Sequence, residues 1–229
     1  MISLVSNTAQ YVIMNWNKAE ITAGTFQTLD TASAVLFTSA FGSNANYVGE
    51  LTISGGEFKH ASDTQEMIVD HYDESNKGNA VVTGGKFDAD ISKYIPTDYV
   101  QSADGTVEKL GETNAVAKVG GTYYKTLADA VAAAQDGDTI TLLKDAELTS
   151  TLNLAKNITI DGQGKYTIKA ANSFTVGSDN KTYCVLYVSG EVTLKDVTVN
   201  GNEKCRVIFC DKGKLTIDGA TITNGKAPN

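Results

Sequence analysis

Arginine is nearly absent from this chain: among 229 residues there is one, Arg206, and the formal net charge is −8. That balance excludes a nucleic-acid partner, which would be held by clustered Lys and Arg on one face. Proline is scarce as well, two residues against 21 glycines. No apolar run reaches the roughly 18 residues that a membrane-spanning helix needs. The three cysteines, Cys184, Cys205 and Cys210, form neither a disulfide framework nor a metal-ligand spacing and read as plain thiols. The first ten residues, MISLVSNTAQ, lack the basic and apolar stretches of a secretory leader, which fits a cytosolic protein or a segment of a longer chain.

What is present is enough for a packed core. At 41% hydrophobic and 20% charged, the composition is globular and allows one large all-β domain or two small ones. Charge is uneven: residues 1–116 hold six lysines and fifteen acidic groups (net −9), and 117–229 hold thirteen basic and twelve acidic groups (net +1).

Repeats dominate the pattern. EITAGTF (20–26), TISGGEF (52–58) and VTGGKF (82–87) recur near the start, and NITIDGQG (157–164), VTLKDVTVNGN (192–202) and LTIDGATITNG (215–225) near the end. Apolar residues alternate within each repeat, the period of a strand with one buried face. Equivalent anchors are Ile21, Ile53 and Val82 in the first set, and Val192 and Leu215 in the second. The second spacing also sets Val188 over Cys210 and Leu186 over Ile208. The period fits one turn of a three-sided parallel β-solenoid, in which each turn buries its apolar face on its neighbours.

The stretch YKTLADAVAAAQDGD reads as a short helix inside residues 126–136. Thr126 is the N-cap with Asp129 three residues on, Gly137 is the stop, and Leu127, Ala130, Val131 and Ala134 form one apolar stripe. Such a helix would cover the open end of a first turn. DADISKYIPTDYV (88–100) reads as a closing cap, with Ile91, Tyr94 and Ile95 on one face and Pro96 as its stop. The expected organisation is therefore turns plus a closing cap over 1–100, a linker or hairpin over 101–118, and a cap helix with further turns over 119–229. The two halves could also stack into one solenoid through open turns near Met1 and Asn229, within the chain or between chains. Roughly eight turns at about 4.8 Å span roughly 40 Å, which a linker of about 18 residues, reaching about 60 Å, can cover.

YKTLADAVAAAQDGDTITLL and VTGGKFDADISKYIPTDYVQSADGTVEKL together resemble the right-handed parallel β-helix (pectate-lyase-like) modules of bacterial cell-surface, adhesin-like proteins. The resemblance implies an all-β, right-handed parallel β-helix with one short capping α-helix. It also implies an extracellular or cell-surface location and a glycan or surface protein, host or bacterial, as partner.

Chemistry is sparsely signalled. Asp70, His71, Asp73 and Glu74, in VDHYDESNKGN, are the candidate ligand or ion loop; a solvated acidic loop is the plainer reading. Ca²⁺ is conceivable there without a supporting motif, and no other cofactor is indicated. Asp161, Asp196 and Asp218 follow strands and read first as turn residues, as do Asp136 and Asp138 around the helix end. No Ser/His/Asp order, metal spacing or phosphate loop occurs, so no catalytic residue is assigned. Tyr11, Trp16, Tyr47 and Tyr72 are candidates for stacking on sugar rings, with Tyr123 and Tyr124 of the same type; caps and corners use such residues too. Thr52, Thr159, Thr193 and Thr216 share one position in their repeats, but only Thr221 and Thr223 form the doublet that a regular Thr-x-Thr face needs. The reading is a non-catalytic structural or adhesive module. The alternatives are a carbohydrate-active domain, lyase or hydrolase, using the Asp70–Glu74 loop, or self-assembly through uncapped turns.

Overall fold

The computed structural model describes residues 3–6, 11–29, 34–40, 48–61, 66–73 and 75–227. The chain divides into two compact units, Met1–Lys109 and Leu110–Asn229. Both are built mainly from parallel strands in several sheets.

The first unit opens with β1 (Ser3–Ser6), β2 (Tyr11–Asn15), β3 (Lys18–Ile21) and β4 (Thr25–Thr28). β5 (Ala34–Thr38) and the long β6 (Glu50–Lys59) follow, then the short β7 (Ile68–Val69), β8 (His71–Asp73) and β9 (Asn76–Lys77). β10 (Asn79–Phe87), a 3₁₀ turn (Ser92–Tyr94), β11 (Tyr99–Gln101) and β12 (Thr106–Lys109) complete it. β6 is the hub of the larger sheet: β3 pairs with its first half, β4 with its last residues, and β10 runs parallel along its other edge. Ile21 and Val82 both lie opposite Ile53, the register that the repeat spacing predicts. β2, β5 and β7 make a second parallel sheet on the same core.

The GTF, GEF and GKF triplets end in a ring ladder. Phe26 stacks on Phe58 with centroids 4.9 Å apart, and Phe58 on Phe87 at 4.5 Å with the rings nearly parallel. Glycine makes room for it. Gly56 and Gly85 take φ of +112° and +102°, and a Cβ at Gly55 or Gly84 would lie 2.2 Å from the carbonyl oxygen of Thr22 or Ser54. β12 pairs antiparallel with the end of β10 and with β11, so a hairpin closes that sheet edge.

In the second unit a hairpin of β13 (Ala117–Val119) and β14 (Thr122–Tyr124) precedes α1 (Leu127–Ala133). The strands then cycle in threes: β15 (Thr139–Leu142), β16 (Ala146–Leu148), β17 (Leu152–Leu154); β18 (Ile158–Asp161), β19 (Thr167–Ala170), β20 (Cys184–Val188). The third set is β21 (Glu191–Lys195), β22 (Thr198–Asn200) and β23 (Arg206–Cys210), and β24 (Lys214–Asp218) and β25 (Thr221–Thr223) begin a fourth. Like members pair in parallel, giving the sheets β15-β18-β21-β24, β16-β19-β22-β25 and β17-β20-β23. The architecture is therefore solenoid-like, three sheets around one aliphatic core. Val192 faces Leu215, Leu186 faces Ile208 and Val188 faces Cys210, as the spacing predicts.

The cap helix forms where its sequence signals place it. Asp129 N–H donates to the Thr126 hydroxyl at 3.0 Å, and Leu127, Ala130, Val131 and Ala134 join the aliphatic core. The Lys156 ammonium donates to the carbonyls of Val131 (3.3 Å), Ala132 (2.7 Å) and Ala134, satisfying the helix's open C-terminal end from the turn below. The helix covers the core only; the free edge of β15 is instead paired by antiparallel β13, a strand at the end of the stretch expected as linker or hairpin.

Candidate functional site

The acidic loop singled out in the sequence becomes a short braced hairpin in the first unit. β8 pairs antiparallel with β9, His71 opposite Lys77 and Asp73 opposite Asn76. A buried hydroxyl holds it in place: Ser39 Oγ donates to Asn76 O at 2.7 Å and accepts from Tyr72 N at 2.9 Å. Ser39 is fully buried after β5, beside a polar corner in which Asn15 Nδ2 donates to Thr38 Oγ1 at 3.1 Å and to Glu50 O at 3.0 Å.

Asp70 is the electrostatic centre. Its Oδ1 lies 2.9 Å from His71 Nδ1 and its Oδ2 2.9 Å from Lys93 Nζ, and its carboxylate is largely covered. Burial alone would raise its pKa. The hydrogen bonds from His71 and Lys93, with the Lys93 charge, outweigh that and hold it below the usual value. Lys93 is raised in turn, chiefly by its bond to Asp70. Tyr94, on the same 3₁₀ turn, donates its hydroxyl to Ile68 O at 2.8 Å; burial first, and the Asp70 charge second, raise its pKa. Both Asp70 oxygens are thus engaged within the protein. Among the described residues no group of three His, Cys, Asp or Glu side chains is placed to hold a metal ion.

Tyr72 stands out on this hairpin, 72% exposed between His71 and Asp73. The other candidate aromatics differ. Tyr11 and Trp16 pack on the buried Phe37 ring with centroids 4.6 and 5.1 Å away, and burial raises the Tyr11 hydroxyl pKa. Tyr47, Glu74, the Asp73 side chain, Met1 and Asn229 lie outside the described residues.

The aspartates of the second unit hold turns. Asp161 accepts from Gln163 N at 2.8 Å and pairs with Lys195 at 3.0 Å; Asp138 accepts from Gln135 N and Asp136 from Asn157 N. Thr139, Thr159, Thr193 and Thr216 do form a column in register, but the neighbouring outward column reads Thr141, Asp161, Lys195, so no regular Thr-x-Thr face results. Thr52 lies outside that column, between Glu20 and Val81. All three cysteines are free; Cys184 and Cys205 are buried, and burial pushes the Cys184 thiol up to about 11.

Two features escaped the sequence reading. Lys93 and Tyr94 lie in a segment that reads in the sequence only as a cap, yet Lys93 pairs with Asp70 from 23 positions away and Tyr94 donates to Ile68 O, contacts no local spacing signals. Tyr187 and Phe209 also stack at 6.1 Å in register, with Arg206 5.6 Å from Tyr183 and 5.9 Å from Phe209. The shared parity of CVLYV and RVIFC carried that signal.

The fold thus defines the class: an all-β protein of mostly parallel strands with solenoid-like repetition and one short helix. Beyond it, no family model, no curated protein and no solved structure matches the chain.

Proposed function

We propose that this chain is a non-catalytic module of a bacterial surface protein, a right-handed parallel β-solenoid that presents side chains to a glycan or a protein partner. One observation carries the reading: Tyr72 projects from a hairpin braced by Ser39 and by the Asp70–His71–Lys93 group. A large amphipathic ring held on a rigid base contributes to binding with little ordering cost. His71, its chain neighbour, and Lys93, across Asp70, add polar groups to the base of the same hairpin. The engaged Asp70 carboxylate favours recognition over acid–base chemistry, which needs a carboxyl free to exchange a proton.

The test is binding of the purified chain to an array of glycans and bacterial or host surface proteins. Tyr72→Ala should abolish the main signal while leaving the circular dichroism unchanged. A retained signal would sink the assignment to this hairpin. If a polysaccharide is cleaved, and cleavage disappears with Asp70→Ala or His71→Ala, the carbohydrate-active alternative replaces this one.

A second reading, self-association, rests on the last turn. Ile217 and Ile222 are 46% and 40% exposed, while Leu194 and Val199, their partners one turn earlier, are fully buried. Light scattering across a wide concentration range decides it: a mass that grows with concentration in the wild type, and not in Ile222→Glu, supports contact between copies. A constant monomer mass ends that reading.

A further inference from the structure

The chain contains two Asn-Gly dipeptides, Asn200–Gly201 and Asn224–Gly225, at one corner of successive turns. An asparagine before glycine is open to attack on its side-chain amide by the glycine nitrogen, which no side chain shields. The two sites differ in what holds that nitrogen. Gly201 N–H donates to Thr223 O at 2.9 Å, and a Cβ on this buried glycine would lie 2.6 Å from Asn224 O. The Asn200 amide oxygen also accepts from donors, Asn202 N at 2.8 Å and Asn224 Nδ2 at 3.2 Å, so the difference between the sites rests on the glycine nitrogen. Gly225 is exposed, and its N–H makes no hydrogen bond among the described residues.

Asn224 is exposed as well and adopts a left-handed φ of 54°. Its amide oxygen lies 3.3 Å from the Thr223 hydroxyl, which donates to it. That is the oxygen on which negative charge builds when Cγ is attacked, and a donor aimed at it lowers the barrier.

We propose that Asn224 is a covalent modification site of this protein, converted by its own backbone through a succinimide. Gly225 N bonds to Asn224 Cγ, the Cγ–Nδ2 bond breaks, and the proton lost from Gly225 N leaves with the amide as ammonia. Solvent water then opens the ring to an aspartyl or isoaspartyl residue, and no redox partner is involved. The product faces Asn200 Oδ1 with a carboxylate where an amide donor stood, so two acceptors meet and the corner contact is lost. The isoaspartyl form also lengthens the main chain, displacing the Asn224 carbonyl that accepts from Glu203 N at 2.9 Å. Asn224 thus acts as a slow, irreversible timer on the contact between β22 and β25.

The experiment is incubation of the intact chain in warm, mildly alkaline buffer, followed by trypsin digestion and mass spectrometry. Asn200 and Asn224 fall in different tryptic peptides, 196–204 and 215–226. In the folded chain Asn224 should convert more than about tenfold faster than Asn200, a ratio equal to roughly 1.4 kcal/mol in barrier. In urea the two rates should converge, and Thr223→Val should slow Asn224 in the folded chain only. Equal folded rates, a faster Asn200, or an Asn224 that converts only in urea would overturn the proposal. An unchanged rate in folded Thr223→Val would remove the hydroxyl from it.

Discussion

The two units stack parallel strands with different side chains. In the first, the ends of β4, β6 and β10 are joined by three phenylalanines, with paired glycines absorbing the backbone distortion beside them. In the second, Ile158, Ile160, Leu194, Val199 and their neighbours spread burial over three sheets, and no aromatic ladder enters the core. A few large rings concentrate stability; many small aliphatics distribute it. Each unit nevertheless handles a parallel sheet edge in the same way, with an antiparallel strand: β12 on β10, and β13 on β15.

The largest effect should come from the middle of the ring ladder. Phe58 is fully buried between two rings, and Phe58→Ala should cost about 3–5 kcal/mol. Amide exchange should rise across β6 and β10 while β18 and β21 stay protected. Equal loss of protection in both units would show that they do not open separately, and the contrast between them would collapse. Lys156→Met comes next. It strips the carbonyls at the end of α1 of a charged donor, and about 1.5–3 kcal/mol should go from the second unit, seen as early exchange in α1 and β15. Ile160→Val removes one methyl group from the distributed core and should cost about 0.5–1.5 kcal/mol. A cost as large as that of Phe58→Ala would mean that the aliphatic core is no more forgiving than the aromatic one.

These contrasts were unequally legible in the sequence. The helix was readable because Thr126, Asp129 and the Leu127–Ala134 stripe are local signals four residues apart or fewer. Strand register was readable because the repeats at Val192 and Leu215 preserve side-chain parity, and a one-residue slip would turn every apolar group outward. The Phe26–Phe58–Phe87 stack was present as three GxF triplets, but spacing alone does not say that rings will touch. The Asp70 group was half visible: the acidic loop is contiguous, whereas Lys93 arrives from a turn whose position depends on the whole first core. β13 was hidden because AKV is too short and too ordinary to announce itself as a strand.

The smallest effect is the pH response of the outer face of the second unit. Asp161 is held below its ordinary value of 3.8: burial opposes this, but the bond from Lys195, the Gln163 N–H and the Lys195 charge prevail. A carboxylate depressed in the folded state adds stability that is present above its unfolded pKa and is lost as pH falls through the folded value. The difference between wild type and Asp161→Asn should therefore be flat near neutrality and shrink only below about pH 3.8. Lys195 remains half exposed, so solvent screening keeps the gain below that of the substitutions above. Acid unfolding of the two proteins, followed by a signal from the second unit, measures that difference. If it narrows already near neutrality, a group other than Asp161 governs the acid response of the second unit. The separation drawn between an aromatic unit with a braced hairpin and an aliphatic unit with structural aspartates would then fail.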